Sequence, residues 1–113
     1  MRIKNGELIQ AVQQGDFKYV LNFLDRKKQK PAKISKFLNQ VDSRNHLTIL
    51  HNLVLHPNNL LARELLIKIL ANDQNSLIHA EDVNGMTALH YAAFQGNHQY
   101  CRLLLAYYTS VRQ

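Results

Sequence analysis

Asp82-Val83-Asn84-Gly85-Met86-Thr87-Ala88-Leu89-His90-Tyr91-Ala92-Ala93-Phe94-Gln95-Gly96 is the stretch that decides the fold of this chain. Its Gly85 closes a turn in which a residue without Cβ adopts positive φ at little cost. Thr87 can cap the helix that follows, and His90 is placed to bond back to that hydroxyl and to a carbonyl of a neighbouring loop. Gly96 can end this helix in the left-handed conformation. The stretch therefore predicts a tight turn and a short capped helix.

A second helix is predicted directly after Gly96. Asn97 can cap it, and its apolar side chains recur at i, i+3, i+4 and i+7, namely Tyr100, Leu103, Leu104 and Tyr107. Such a stripe is typical of a helix that buries one side. The small Ala92 and Ala93 allow the first helix to lie close to its neighbours. Residues 82–107 thus predict a helix-turn-helix hairpin.

The same pattern recurs twice upstream, which indicates repeated hairpins. Thr48-Ile49-Leu50-His51 repeats the capped helix start of Thr87 to His90, and the apolar run from Leu60 to Leu70 supplies the second helix. At the N-terminus, Leu8 to Gly15 mirrors Leu89 to Gly96.

The turns of these upstream units differ from that of the last unit. Pro57 stands where the last unit has Gly96, and proline cannot adopt positive φ. The turn there is predicted to be reshaped, with Asn58 or Asn59 as the helix cap. In the first unit, Asp16 can cap the second helix. The hairpin tip and the histidine are missing from that unit, as expected of an end unit.

Residues 82–105 resemble an ankyrin repeat almost position for position, with Ala88 where that family usually has proline. The resemblance continues, with more departures, over residues 42–70 and 5–24. It implies an all-α fold, an ankyrin-repeat solenoid of stacked helix-turn-helix hairpins with enlarged inter-repeat loops. The whole chain is expected to form one domain, 1–113, with repeats at roughly 5–30, 42–72 and 82–113.

Insertions are expected between the units, because their spacing exceeds the family period of about 33 residues. The first insertion is predicted to be an extra helix over residues 31–41. Pro31 can open it, and its apolar residues follow the i, i+3, i+4, i+7 pattern, namely Ile34, Phe37, Leu38 and Val41. The second insertion lies near residues 72–79, where Leu77 and Ile78 are expected to tuck under the hairpin.

Charge is distributed unevenly along the chain. All of the formal net charge of +6 lies in residues 1–36, which hold nine Lys or Arg and three acidic residues. Rows of cations displace counterions from phosphates, so nucleic acid or another anionic surface is one reading of the Arg26-to-Lys36 segment. The segment lacks interleaved stacking aromatics and a base-reading motif, which favours a solvated loop instead.

Membrane and secreted proteins do not fit this sequence. Charges break the apolar runs well before the roughly 18 residues of a membrane span, and Glu7 and Gln10 interrupt any secretory signal. The single cysteine, Cys101, favours a reducing setting. A cytoplasmic protein is therefore expected, in the cytoplasm of a host cell if a pathogen makes it.

No residue pattern indicates catalysis, a metal site or a cofactor. None of the six histidines stands with a cysteine or glutamate at zinc-motif spacing, and His51 and His90 are explained as cap partners. Cys101 lies beside Leu103 and Leu104, where a semi-buried thiol is ordinary. A Gly-rich phosphate loop and paired carboxylates in a strand-helix context are missing too. The sequence predicts a protein that is not an enzyme and that needs no metal and no cofactor.

Function is therefore expected from a surface. In ankyrin proteins the concave face of hairpin tips and inner helices usually binds a partner. The resemblance implies a protein–protein interaction module, such as an adaptor or a pathogen-type inhibitor or decoy. The partner-binding positions that it implies are Arg44, His46, Asn52, His56, Asn84, Met86, Tyr91, Phe94 and Gln95. The structural positions are Thr48, His51, Gly85, Thr87, His90 and Gly96. Phe94 and Leu55 are then expected to be exposed on the concave face. The alternative is that both side chains pack under the enlarged loops.

The C-terminal end of the stack is expected to be open. Repeat arrays normally close with a polar outer face, but no polar capping hairpin follows Leu103-Leu104-Leu105. The last unit is predicted to present its 86–93 helix and the Leu104 side to solvent. These residues are then either the front part of a longer protein or a face that pairs with a partner or with itself.

Overall fold

Seven α-helices lie within the residues that the structure describes. The structure, a computed structural model, describes residues 7–25, 30–42, 44–56, 60–72 and 77–111. In chain order the helices are α1 (Glu7–Gln13), α2 (Phe17–Asp25), α3 (Pro31–Leu38), α4 (Ile49–Val54), α5 (Leu60–Asn72), α6 (Ala88–Phe94) and α7 (His98–Val111).

Six of these helices form three hairpins, α1/α2, α4/α5 and α6/α7, which stack in two layers. The short helices α1, α4 and α6 contact one another in this order as an inner layer, and α2, α5 and α7 do the same as an outer layer. Every one of the six contributes a fully buried apolar residue, namely Val12, Val20, Leu53, Leu66, Ala92 and Leu104. The removal of this apolar surface from water holds the layers together. The predicted all-α stack of hairpins is confirmed.

Glycine closes the first and the last hairpin. Gly15 and Gly96 have φ values of 79° and 70°, in the region that side chains with a Cβ avoid. The next residue in each turn, Asp16 or Asn97, donates its N–H to a carbonyl of the preceding helix, at 2.8 and 3.0 Å. The side chains of Asp16 and Asn97 then cap α2 and α7 by accepting main-chain N–H groups, at 3.4 and 3.2 Å. The predicted turn at residues 57–59 lies outside the described residues.

The first insertion contains the extra helix α3, which begins where predicted but ends at Leu38 instead of Val41. Phe37 and Leu38 are buried, and the Phe37 ring meets Phe23 of α2 edge-on at 5.9 Å. Val41 is 43% exposed and pairs with Thr48 in an isolated antiparallel bridge. The prediction that Val41 extends the buried helical stripe is wrong, because this bridge holds it in an extended segment.

The second insertion reaches the core with two side chains. Leu77 and Ile78 are 2% and 3% exposed, as expected for residues that tuck under the hairpin. The ring of His79 lies 4.8 Å from that of Tyr108, which ties this loop to α7. Residues 73–76 lie outside the described part of the chain.

The last hairpin buries more of α7 than the sequence predicts. Leu104 is fully buried and belongs to the continuous core, so the prediction that the Leu104 side faces solvent is wrong. The apolar stripe of α7 turns this leucine toward the inner layer, and the next residue, Leu105, is 46% exposed.

Candidate functional site

Two hairpins begin their inner helix with a capping box made of threonine and histidine. In the middle hairpin, Thr48 Oγ1 accepts the main-chain N–H of His51 at 3.2 Å, and His51 Nδ1 accepts the N–H of Thr48 at 3.1 Å. Because a main-chain N–H only donates, Nδ1 is an acceptor and the neutral ring carries its proton on Nε2. The box satisfies two donors that the start of a helix otherwise leaves unpaired.

The His51 ring also joins the middle hairpin to the last one. Its Nε2 donates to the main-chain oxygen of Met86 at 2.7 Å, and the ring meets Tyr91 edge-on at 5.7 Å. His51 is fully buried. This burial lowers the pKa of His51, because desolvation disfavours the charged form. The ring is therefore a neutral structural link between two hairpins.

The last hairpin has the same box without the link. Thr87 Oγ1 accepts the N–H of His90 at 3.3 Å, and His90 Nδ1 accepts the N–H of Thr87 at 2.9 Å. His90 is exposed, and the hydrogen bonds of its ring to described residues are all made by Nδ1, to Thr87. The bond to a neighbouring loop carbonyl, which the sequence predicts for His90, is made by His51.

The tip of the last hairpin is organised by the Asp82 carboxylate. Its Oδ1 accepts the main-chain N–H groups of Asn84 and Met86, both at 2.9 Å, and its Oδ2 accepts the hydroxyl of Tyr91. The bond from Tyr91, with help from the main-chain bonds, lowers the pKa of Asp82, and the same bond raises the pKa of Tyr91. Gly85 has a φ of 77°, which lets the turn reverse without strain.

The tip of the middle hairpin has a histidine at the equivalent point. Asp42 Oδ1 accepts the N–H groups of Arg44 and Asn45, at 2.7 and 2.8 Å. His46 stands two residues before the capping threonine, as Gly85 does, and has a φ of 58°. This conformation costs a non-glycine residue about 1 to 2 kcal/mol. The positive φ of His46 was not predicted from the sequence. The signal that could have predicted it is the alignment of His46 with Gly85.

The two tips and the ends of α4 and α6 form the inner surface, the candidate functional site. The N–H of Val83 donates to the carbonyl of Asn45 at 2.9 Å, so the tips lie side by side. Phe94 is 88% exposed, and Leu55 at the equivalent position is 38% exposed. The structure thus contradicts the alternative in which Phe94 packs beneath a loop. The inner surface consists of Arg44, His46, Leu55, His56, Val83, Asn84, Met86, Tyr91, Phe94 and Gln95.

The positions that the sequence assigned to a partner differ in exposure. The exposed ones are Arg44, His46, Asn84, Phe94 and Gln95, and the half-buried ones are His56, Met86 and Tyr91. His56 is partly covered because its ring meets Phe17 edge-on at 5.6 Å.

Asn52 is not part of the inner surface. It is 4% exposed, and its amide group donates to the Thr48 carbonyl at 2.8 Å and accepts from Gln13 Nε2 at 3.2 Å. The expectation that Asn52 is available to a partner is wrong, because its amide holds the first two inner helices together.

Other kinds of site have less support in the described residues. No group of three or more His, Cys, Asp or Glu side chains there could hold a metal ion, and Cys101 is half-buried on α7. Of the basic segment, Lys30, Lys33 and Lys36 are described and exposed, whereas residues 26–29 lie outside the described part. None of the described helices combines the length and apolar character that crossing a bilayer requires.

The stacked, capped hairpins have a counterpart among known protein families. A family model described as ankyrin repeats (3 copies) matches residues 8–113. The chain belongs to the ankyrin-repeat family. Ankyrin repeats are generally protein–protein interaction modules, and the family is non-enzymatic. Among curated proteins and among solved structures, the chain has no significant match.

The three hairpins are numbered as repeats in chain order from here on. Repeat 1 holds α1 and α2, repeat 2 holds α4 and α5, and repeat 3 holds α6 and α7. The inner surface therefore draws on the tips and inner helices of ankyrin repeats 2 and 3.

Proposed function

We propose that this ankyrin-repeat protein binds another protein through the inner surface. The observation that carries the proposal is Phe94, an aromatic side chain that is 88% exposed at the end of α6. An exposed phenyl ring forgoes its hydrophobic burial, and aromatic side chains are enriched in the cores of protein interfaces. Leu55 is exposed at the equivalent position of repeat 2, so two adjacent repeats offer apolar side chains at the same place.

The polar residues of the inner surface suggest the chemistry of the partner. Asn84 and Gln95 are exposed amides that can both donate and accept, and the exposed Arg44 supplies a cation. The Asp82 carboxylate is already occupied by Tyr91 and by main-chain N–H groups. A partner segment with an apolar anchor, main-chain polar groups beside it and an acceptor for Arg44 would match this surface.

The biological role belongs to the same proposal. The protein would act as an adaptor, or as an inhibitor or decoy of the kind that pathogens make, in the cytoplasm of its own or a host cell. It would work as one unit over residues 1–113, without catalysis, metal or cofactor. The membership in a non-enzymatic family of interaction modules supports this proposal.

The test removes the apolar anchor and measures partner capture. Immobilised wild-type protein and the double variant Phe94→Ala/Met86→Ala are incubated with cell lysate, and captured proteins are quantified by mass spectrometry. We expect the specific partner to bind at least about tenfold more weakly to the double variant, because anchors of this type dominate interface energies. The helical circular dichroism spectrum should not change, since Phe94 is exposed.

Leu60→Ala is the matched control. Leu60 is 84% exposed on the outer helix α5 and is not one of the residues of the inner surface, so its truncation removes a similar apolar group and leaves those residues unchanged. We expect it to keep full partner binding. Equal capture by all three proteins would show that the inner surface is not the binding site.

A second candidate function is the binding of an anionic surface through the Arg26-to-Lys36 segment. It is favoured by Lys30, Lys33 and Lys36, which are all exposed. A salt titration of the captured complex separates the two functions. Affinity carried by phosphate contacts falls by about a thousandfold or more between 50 and 200 mM salt when several phosphates are engaged, whereas apolar binding changes little.

A further inference from the structure

The middle tip, the turn between Asp42 and Thr48, carries a cation that the described part of the fold does not use. Arg44 is exposed, and its one hydrogen bond to a described residue is donated by its main-chain N–H to Asp42 Oδ1, at 2.7 Å. The same oxygen accepts the N–H of Asn45 at 2.8 Å, so it serves the main chain and not the guanidinium. A guanidinium has five N–H donors and matches a carboxylate in a bidentate geometry. At this tip the donors are available to an acceptor outside the described residues.

A strained residue follows Arg44 in the middle tip. His46 has a φ of 58° at the point where repeat 3 has Gly85, and this conformation strains a residue with a Cβ. The hydrogen bond that His46 makes within the described residues runs from its main-chain N–H to the Asp42 carbonyl, at 3.1 Å. A glycine would make the same bond without strain. The exposed ring contributes no hydrogen bond to the turn, and strained residues cluster at binding sites, so the ring points to a ligand.

The last tip, the turn from Asp82 to Thr87, carries an exposed carboxylate instead of a cation. Glu81 is exposed, and its Oε1 lies beside Gly85. The carboxylate of Asp82 is occupied within the tip, by main-chain N–H groups and by the Tyr91 hydroxyl. Because the two tips lie side by side, an anionic group on a ligand is attracted to the middle tip and repelled from the last one.

We infer that the inner surface binds an acidic peptide segment of its partner, with an Asp or Glu side chain held by Arg44 and His46. The inference rests on the proposed function and names the chemistry of the partner. Helix α6 separates the last tip from Phe94, and its seven residues span about 10 Å. An extended peptide covers this length and the adjoining tip in about three to five residues. The carboxylate of the segment therefore lies about three to five residues from the apolar side chain that packs on Phe94.

Selection from a peptide library tests this chemistry. Phage that display random peptides of about 12 residues, long enough to span the inner surface when extended, are selected on the immobilised full chain. We expect most enriched peptides to hold Asp or Glu about three to five positions from an aromatic or large aliphatic residue. Enriched peptides are then synthesised, and their Kd values for the wild-type chain and its variants are measured by fluorescence anisotropy.

Charge reversal at the middle tip is compared with the same reversal elsewhere. Arg44→Glu should weaken binding of the enriched peptides by about tenfold or more, because it replaces an ion pair with a repulsion. Arg102→Glu is the matched control, since Arg102 is exposed on the outer helix α7 and the net charge changes equally. We expect it to keep the wild-type Kd.

A second variant tests the ring of His46. His46→Asn keeps a residue that tolerates positive φ and removes the imidazole. We expect about threefold weaker binding of the enriched peptides, because one hydrogen bond to the carboxylate is lost. The thermal midpoint should stay the same, since the exposed ring makes no hydrogen bond within the described residues. A purely structural role of His46 would move the midpoint and leave the Kd unchanged, which would contradict its part in the inference.

Three results would overturn the inference. Enriched peptides without an excess of Asp and Glu, or no enrichment at all, would show that the inner surface does not select an acidic segment. Equal losses in Arg44→Glu and Arg102→Glu would assign the effect to net charge alone. Tighter binding of a single-stranded DNA oligonucleotide than of the peptides, lost in Arg44→Glu, would assign the middle tip to nucleic acid.

Phe94→Ala separates the inference from the proposed function. If it weakens peptide binding while Arg44→Glu does not, the inner surface binds without a carboxylate and the inference fails alone. If Arg44→Glu releases the peptides while Phe94→Ala keeps the wild-type Kd, the middle tip binds an acidic segment and the anchor of the proposed function fails.

Discussion

His51 and His90 occupy the same position of the same motif in neighbouring repeats, yet one is fully buried and the other is exposed. Their local geometry is nearly identical, with Nδ1 accepting the threonine N–H at 3.1 Å in one and 2.9 Å in the other. Only His51 reaches a neighbouring hairpin. The comparison teaches that the motif forms the cap by itself, whereas its contribution to stability depends on the repeat that covers it.

Alanine substitutions should give the largest difference between the two sites. His51→Ala removes the cap and the bond to Met86 and opens a cavity in the core, and we expect it to destabilise the protein by about 3 kcal/mol or more. His90→Ala removes a solvated cap and should cost about 1 kcal/mol. Urea unfolding followed by circular dichroism measures both. Equal losses would mean that the neighbouring repeat adds nothing to the motif.

The second largest effect should come from acid, which is expected to destabilise the protein through the buried His51. Burial lowers the pKa of His51 below its ordinary 6.5, so the unfolded chain binds the extra proton first and stability falls with falling pH. This stabilisation is complete above about pH 6.5 and is lost as the pH drops through the folded-state pKa of His51. Urea midpoints measured from neutral to mildly acidic pH test this. The urea midpoint should depend less on pH in His51→Gln, which keeps a polar side chain that does not titrate in this pH range. An unchanged pH dependence of the midpoint would contradict the prediction.

The two hairpin tips should show the smallest effect. His46→Gly relieves the positive φ of 58° but gives the unfolded chain more freedom, so we expect a change of less than about 1 kcal/mol. Gly85→Ala forces a Cβ into the same conformation and should destabilise by about 1 to 2 kcal/mol. Thermal unfolding compares the two tips. A tolerated Gly85→Ala would show that the tip can relax away from positive φ.

Much of the fold could be predicted because its signals are local. Gly96, Asn97 and the threonine–histidine boxes act within a few residues of themselves, and the structure has these turns and caps where the sequence places them. The extra helix α3 begins at its proline for the same reason.

The errors arose where distant contacts decide the outcome. Asn52 is buried because it bonds to Gln13, which is far away in the sequence. Val41 leaves the helical pattern because it pairs with Thr48. The helical period placed Leu104 on the apolar stripe of its helix but did not show that the fold buries this residue completely. Which histidine reaches a neighbouring tip likewise depends on the order of the repeats.

Native-state hydrogen exchange tests most directly whether the neighbouring repeat makes the difference between the two inner helices. We predict that the amides of α4 exchange only through global unfolding, whereas those of α6 exchange at least about tenfold faster through local opening of the end repeat. Equal protection of α4 and α6 in the monomeric chain would contradict this account of covered and uncovered repeats.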